Sequence, residues 1–103
     1  MKTLAPLESI RFCILLALAA GPTYGYALQT RIDEDADDRV HIDHSTIYKA
    51  LARLEADGDI KRSASRSDSR QHIYGLTPRG RRTLKIESDR LARAVRLLED
   101  RFK

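Results

Sequence analysis

The last quarter of the chain predicts one long helix, and this feature limits the fold more than any other. Thr77 and Pro78 are typical of a helix start, and from Pro78 to Phe102 only Gly80, in the first turn, interrupts the helix formers. Leucines recur every seven residues, and a second residue follows each leucine by four, which makes a seam of the coiled-coil type. A helix of about 25 residues extends about 37 Å, which is longer than the core of a small domain.

Such a helix needs a partner surface, and a second copy of the chain supplies one most simply. We therefore predict that residues 77–103 form a C-terminal dimerisation helix. The seam residues expected to make its contacts are Leu84, Leu91, Val95, Leu98 and Phe102. The alternative is a helix that folds back on the first helix of its own chain, and the two arrangements can coexist.

Length and cysteine content favour one domain in a reducing compartment. A chain of 103 residues suits a single domain, and the lone Cys13 cannot form an internal disulfide. The apolar run from Phe12 to Ala20 has nine residues, whereas a membrane span needs about 20. A secretory signal is the other interpretation of this run, but Glu8 and Arg11 interrupt the region before it. We expect a buried helix, a cytoplasmic protein and no membrane partner.

Positive charge is concentrated in the second part of the chain. Residues 1–43 carry four basic and seven acidic side chains, whereas residues 44–103 carry fifteen basic and eight acidic ones. Clustered Lys and Arg raise the local electrostatic potential more than the net charge of +4 suggests. The asymmetry fits a surface that binds a polyanion and fits equally well a solvated basic helix at the C-terminus.

Two helices are predicted in the first third of the chain. The first runs from Glu8 to Ala20 and is apolar nearly all round in its second half, which predicts a central, buried position. Thr23 fits an N-cap, so the second helix is predicted from Tyr24 to about Asp33, and Gly25 in its first turn indicates close packing. The residues expected on its apolar side are Tyr26, Ala27, Thr30 and Ile32.

The middle of the chain predicts a third helix and a hairpin. Val40 and Ile42 suggest a very short strand, and Asp43 fits the N-cap of a helix from His44 to Asp57 that Gly58 ends. The helix has one apolar stripe, at Ile47, Ala50, Leu51 and Leu54. Two extended runs, residues 60–65 and 71–76, surround a polar, turn-rich tip.

The order of these elements is that of a winged helix-turn-helix. We predict a mainly α fold with a small β-hairpin, in which residues 1–76 form a DNA-binding domain with its wing at about 60–76. The second helix of such a motif lies in the major groove and reads base edges with its first residues. Those residues here are His44, Ser45, Thr46, Tyr48 and Lys49, with Arg53 one turn further on and able to reach phosphate. Arg66 and Arg70 at the hairpin tip suit a phosphate or the minor groove.

Three segments together resemble the PadR family of bacterial transcriptional regulators. The first is residues 14–28, which contain the Gly25-Tyr26 pair near their end. The second is Thr-x-Tyr-x-x-Leu-x-x-Leu-Glu-x-x-Gly from Thr46 to Gly58. The third is Tyr-x-Leu-Thr-x-x-Gly from Tyr74 to Gly80. The resemblance covers nearly the whole chain, in order, and the single C-terminal helix is similar to the short branch of the family.

The resemblance implies a homodimeric repressor that binds a two-fold symmetric operator in double-stranded DNA. It also implies release by a small-molecule effector at the dimer interface. Transferred by position, Thr46, Tyr48 and Lys49 would be contacts of the recognition helix and Tyr26 a contact to the DNA backbone. Arg70 would belong to the wing that faces DNA.

Other classes of function fit the sequence less well. The chain has no Gly-rich phosphate loop, no Cys/His cluster and no HExxH spacing, so we predict neither an enzyme nor a cofactor. His41 and His44 lack helical ligand spacing, and the acidic run at residues 33–39 lacks the Gly and terminal Glu of a calcium loop, so no metal is predicted. The remaining alternative is a winged helix that binds a protein partner instead of DNA. Replacement of Lys49 or Arg70 by Glu distinguishes the two: it should weaken binding to DNA if the chain binds DNA, but it need not affect binding to a protein partner.

Overall fold

The structure, a computed structural model, describes residues 3–4, 7–36, 40–64 and 71–103. The helices are α1 (Leu7–Ala19), α2 (Leu28–Asp35), α3 (His44–Ala56) and α4 (Pro78–Arg101), and a 3-10 turn spans Gly25–Ala27. The strands are β1 (Thr3–Leu4), β2 (Thr23–Tyr24), β3 (Val40–His41), β4 (Ile60–Ala64) and β5 (His72–Leu76). The predicted mainly helical chain with a small hairpin is confirmed.

Helix α1 is the centre of the fold. Ile10, Ile14, Ala17 and Leu18 recur at helical spacing and are all buried, and α1 packs against α2, α3, α4 and β5. Leu16, in contrast, is 43% exposed. The predicted central, buried position of this helix is therefore confirmed, and Leu16 lies on the one side that the neighbouring elements leave uncovered.

The predicted second helix starts too early. Thr23 and Tyr24 form strand β2, a 3-10 turn follows, and α2 begins only at Leu28 after Ala27 as an N-cap without a side-chain hydrogen bond. The side chains that α2 buries are Leu28 and Ile32, whereas Tyr26 is 56% exposed. Pairing of β2 with β5, which is distant in the chain, overrides the local helix preference of this segment.

Helix α3 follows its prediction closely. Ile47, Ala50, Leu51 and Leu54 are all buried and pack in the same cluster as the inner side chains of α1 and α2. Complete burial of a Leu or Ile side chain contributes about 1.5–3 kcal/mol. The stripe therefore fixes the orientation of α3 about its own axis against α1, and this orientation decides which side chains of α3 face solvent.

A three-stranded antiparallel sheet in the order β2-β5-β4 forms the wing. Tyr74 of β5 lies opposite Thr23 on one side and Arg62 on the other. The predicted hairpin is present. The very short strand predicted at Val40 and Ile42 is present as β3, and it pairs in parallel with β1, which the sequence did not predict. The hairpin tip at residues 65–70, which includes Arg66 and Arg70, lies outside the described residues.

Helix α3 passes into the wing through a tight turn. Asp57 caps the helix, Gly58 has φ +83°, and the Gly58 and Asp59 amides donate to the carbonyls of Glu55 and Leu54 at 3.1 and 3.0 Å. This pair of hydrogen bonds is a Schellman motif, in which a residue without Cβ occupies the left-handed position. The predicted role of Gly58 is confirmed.

Helix α4 starts as the sequence predicts and extends past the core. The Thr77 side chain accepts a hydrogen bond from the Gly80 amide at 3.0 Å, and Pro78 occupies the first turn. All residues from 89 to 103 are exposed, and the molecule measures 55 × 33 × 20 Å. Most of α4 therefore extends beyond the core of its own chain and stays uncovered.

Candidate nucleic-acid interface

The N-terminus of α3 is fixed by its cap. Asp43 has an extended backbone, and its Oδ1 accepts hydrogen bonds from the Thr46 amide at 2.8 Å and from the Ser45 hydroxyl at 3.1 Å. The backbone hydrogen bond from Thr46, together with the hydroxyls of Thr46 and Ser45, lowers the pKa of Asp43. The cap holds the first turn of α3, and with it the predicted base-reading side chains, in one position.

The predicted contact residues of α3 lie on the side opposite its buried stripe. His44, Ser45 and Lys49 are exposed, Tyr48 is 44% exposed, and Thr46 is half-buried. Arg53 is also exposed, and its Nε lies 3.5 Å from Asp57 Oδ1 at the end of the same helix. An exposed pair of this kind contributes little energy, so Arg53 can leave it for another anion. This side of α3, residues 44, 45, 48, 49 and 53, is called the polar face below.

An aromatic cleft lies beside the polar face. Tyr24 and Tyr26 stack with their ring centroids 5.4 Å apart, and the Tyr26 ring projects into solvent. A Cβ on Gly25 would lie 3.0 Å from the Tyr48 ring, so the absence of a side chain there lets the ring lie against the backbone, as the predicted close packing requires. The cleft between the Tyr26 and Tyr48 rings and the start of β5 has a volume of about 150 Å³.

Three side chains of this cleft were not predicted to belong to the site. Gln71 and His72 line it at the start of β5, and Tyr74 forms its buried floor, where burial raises the pKa of the phenol. His72 and Tyr74 are two residues apart in one strand and so point to the same side of the sheet. That alternation is visible in the sequence, but the pairing that brings β5 beside Tyr26 is not.

The wing adds basic side chains next to α3. Lys61 and Arg62 of β4 are exposed, and Arg62 Nε lies 3.3 Å from Glu55 Oε2 on α3. This pair links the wing to the last turn of α3. The two predicted wing residues, Arg66 and Arg70, lie among residues 65–70, which the structure does not describe.

The predicted dimer seam lies on the uncovered part of α4. Leu91, Val95 and Leu98 are each more than half exposed, and Phe102 is 81% exposed. Leu84 is the exception, since it packs against the core cluster at the base of the helix. The exposed seam is therefore an apolar strip of residues 91, 95, 98 and 102, and we call it the α4 seam.

A second cleft, of about 440 Å³, lies between α1 and the first half of α4. Its walls combine the apolar Phe12 and Leu15 with the polar Thr83 and the charged Arg11, Glu87 and Arg90. Among the described residues no group of three or more His, Cys, Asp or Glu side chains could hold a metal ion. In the same part of the chain, no helix has the length and apolar character to cross a membrane.

The fold and the polar face define a class of protein. Three helices, with the cap of α3 exposed and an antiparallel wing after it, make a winged helix-turn-helix with a long additional C-terminal helix. The sequence profile of the transcriptional regulator PadR-like family matches residues 14–86. The chain therefore belongs to the PadR-like family, whose members are transcriptional regulators and not enzymes.

Solved structures agree with this assignment. A transcriptional regulator from Clostridium thermocellum has a TM-score of 0.77 and 26% identity, over 90% of this chain and 89% of that one. PadR from Bacillus subtilis, solved in complex with operator DNA, has a TM-score of 0.68 and 26% identity, over 78% of this chain and 46% of that one.

One curated relative matches as well. It is an uncharacterized 37.1 kDa protein in transposon TN4556 of Streptomyces fradiae, 38% identical over 80 residues that make up 78% of this chain. The match spans only 22% of the length of that relative.

Proposed function

We propose that this protein is a homodimeric repressor that binds a two-fold symmetric operator in double-stranded DNA and is released by a small ligand. The observation that carries the proposal is the polar face of α3, in which hydrogen-bonding and cationic side chains lie opposite a fully buried stripe. A helix fits into the major groove of B-DNA and reads the base edges there with such side chains.

In this proposal the site residues divide into two groups. His44, Ser45, Thr46, Tyr48 and Lys49 read base edges at the N-terminal end of α3. Tyr26 and Arg53 bind the DNA backbone, and the wing residues Arg66 and Arg70 bind phosphate or the minor groove. Phosphate contacts fix the position of a protein on the duplex, and base contacts select the sequence. The complex of Bacillus subtilis PadR with operator DNA supports this arrangement, because that protein has a similar fold.

The α4 seam supplies the dimer contact in this proposal. An apolar strip at heptad spacing on an exposed helix is what a two-fold coiled-coil contact needs. Two copies joined in this way would present two α3 helices to successive major grooves, about 34 Å apart. The cleft between α1 and α4 borders this contact, so a small ligand there would change the separation of the two α3 helices. The protein would act where the DNA is, in the cytoplasm.

A binding-site selection from a random duplex library tests the proposal. The wild-type chain should enrich a two-fold symmetric sequence with half-sites about one helical turn apart. Lys49→Glu reverses a charge on the polar face and should weaken binding to the selected duplex by at least about tenfold, since it loses a contact and adds repulsion. Lys85→Glu is the matched control, because Lys85 lies exposed on α4 beside Asp89, away from the polar face.

Two results would contradict the proposal. The first is a library that yields no shared sequence, which would favour a winged helix that binds a protein partner. The second is equal loss of affinity in both charge-reversal variants, which would mean that only net charge matters and that the polar face of α3 has no special role.

A further inference from the structure

Asp59 is a buried carboxylate at the point where α3, α1 and α4 meet. Its side chain is 3% exposed. Among the described residues, Asp59 is the only buried residue with a charged side chain. Acidic side chains are almost never buried without partners. The DNA contacts proposed above do not use Asp59, so its burial needs a separate explanation.

Its side chain contacts two helices. Asp59 Oδ1 accepts a hydrogen bond from the Thr83 hydroxyl of α4 at 2.9 Å and lies 3.6 Å from Arg79 Nε on the same helix. Asp59 Oδ2 lies 3.7 Å from an Arg11 guanidinium nitrogen of α1, which also donates to Asp57 Oδ2 at 3.0 Å. One carboxylate is thus shared between the central helix and the start of α4.

Its backbone joins the end of α3 to the same point. The Asp59 amide donates to the Leu54 carbonyl of α3 at 3.0 Å, and the Asp59 carbonyl accepts from the Thr77 amide, the N-cap of α4, at 3.1 Å. The Thr77 hydroxyl also donates to the Gly58 carbonyl at 2.6 Å. The turn that ends α3 is therefore hydrogen-bonded directly to the residue that begins α4.

The backbones are too close at this joint for a side chain. A Cβ on Gly80 would overlap the Asp59 carbonyl oxygen and lie 2.9 Å from its carbonyl carbon. Because both partners are backbone atoms, neither can move aside without a shift of the whole of α4 or of the turn. The joint thus holds α4 at one distance and one angle from the end of α3.

We propose that Asp59 is a positioning residue that fixes the angle between α3 and α4 and thereby sets the operator half-site spacing that the dimer accepts. The inference rests on the proposed function, because a spacing exists only if a dimer joined through α4 presents two α3 helices to DNA. Asp59 touches no DNA in this scheme and acts through Thr83, Arg79 and Arg11. A loosened joint would leave each α3 helix able to bind while the two no longer hold the correct separation.

The test compares Asp59→Asn with the wild type on three kinds of selected duplex: the best spacing, spacings one or two base pairs longer or shorter, and a single half-site. The substitution keeps the size of the side chain and an acceptor for Thr83 but removes the charge that attracts the two arginines. We expect affinity for the best spacing to fall about tenfold, because the second half-site is bound at lower effective concentration. Affinity for the single half-site should change less than about twofold, and the preference among spacings should flatten.

Asp89→Asn is the matched control, since it removes an exposed carboxylate of α4 that pairs with Lys85 of the same helix at 2.9 Å. It should leave all affinities unchanged. Thr83→Val removes only the 2.9 Å hydrogen bond to Asp59. It should flatten the preference among half-site spacings in the same direction as Asp59→Asn, but by a smaller factor. This second variant keeps the test decisive if Asp59→Asn fails to fold.

The outcomes separate this inference from the proposed function. If the wild type shows no preference for two half-sites, the proposed function fails. If the wild type prefers one spacing and the variants keep that same preference, the role of Asp59 in spacing is refuted. Equal losses on the single half-site and on the best spacing would also refute it, because they would show general damage to the fold.

A measurement of the distance between the two α3 helices in the DNA-free dimer tests the same inference independently. Spin labels on Ala52→Cys, an exposed position of α3, in a Cys13→Ala background report the separation of the two α3 helices in the dimer. The wild type should give one narrow distance distribution and Asp59→Asn a clearly broader or displaced one. Identical distributions would overturn the proposal.

Discussion

Replacement of Leu91 by Ser should weaken self-association of the chain. Leu91 is 52% exposed in the single chain, and complete burial of a leucine side chain contributes about 1.5–3 kcal/mol. Covering the exposed half in a dimer is therefore worth about 1 kcal/mol for each copy. A two-fold contact uses both copies, so the loss is about 2 kcal/mol, or roughly a thirtyfold increase in the dimer dissociation constant.

Ile86→Ser provides the matched control for this measurement. Ile86 is 59% exposed on the same helix, but it lies five residues before Leu91 and so about 140° around the helix from it. Sedimentation equilibrium over a range of concentrations measures both dissociation constants, and circular dichroism confirms that both variants fold. We expect Leu91→Ser to raise the constant and Ile86→Ser to leave it unchanged. Equal effects of the two substitutions, or none from Leu91→Ser, would refute the α4 seam as the dimer contact.

Three further predictions concern α3 and its surroundings. Gly25→Ala would place a Cβ 3.0 Å from the Tyr48 ring and 3.2 Å from the buried Tyr74 ring, so we expect operator binding, measured by fluorescence anisotropy, to weaken by about 1 kcal/mol. The pKa of Asp43 is lowered, so its charged form stabilises the folded state above the unfolded pKa of about 3.9, and this contribution is lost as pH falls through the folded pKa. Urea unfolding should accordingly show wild type and Asp43→Asn converging as the solution becomes acid, and a constant difference would contradict this. Leu54→Ala should lower the free energy of unfolding by about 3 kcal/mol, because Leu54 is fully buried; a loss below 1 kcal/mol would mean that the stripe does not anchor α3.

Local signals correctly predicted α3 with its caps and the N-cap of α4. Asp43, Gly58 and Thr77 act through hydrogen bonds or backbone angles within a few residues, so the neighbouring sequence is enough to identify them. The buried stripe of α3 likewise depends only on helical periodicity. For the same reason, the sequence separates the polar face of α3 from its buried side.

Contacts between distant parts of the chain account for the errors. Thr23 and Tyr24 look like a helix start, yet they pair with Ile73 and Tyr74, about fifty residues further on. Tyr26 consequently lies in solvent instead of on the inner side of a helix. The burial of Asp59 is also invisible in the sequence, because its partners come from α1 and α4.

The C-terminal helix illustrates a different limit. Its heptad pattern predicted both the helix and an uncovered apolar strip, and the structure contains the helix from Pro78 to Arg101 with Leu91, Val95 and Leu98 exposed. In the proposed dimer, the surface that covers this strip belongs to a second molecule, so neither the sequence pattern nor the structure of one chain identifies it. The family profile ends at residue 86, so the α4 seam also lies beyond the matched region.

The most direct test of DNA binding is a titration followed by fluorescence anisotropy. Labelled duplex from the region upstream of the protein's own gene is compared with a scrambled duplex of the same length, each at two salt concentrations. We predict tight binding that prefers the upstream sequence and weakens with salt, with a log–log slope of about −0.9 for each phosphate contact. Weak binding that is equal for both duplexes would contradict the account and would favour a protein partner for this fold.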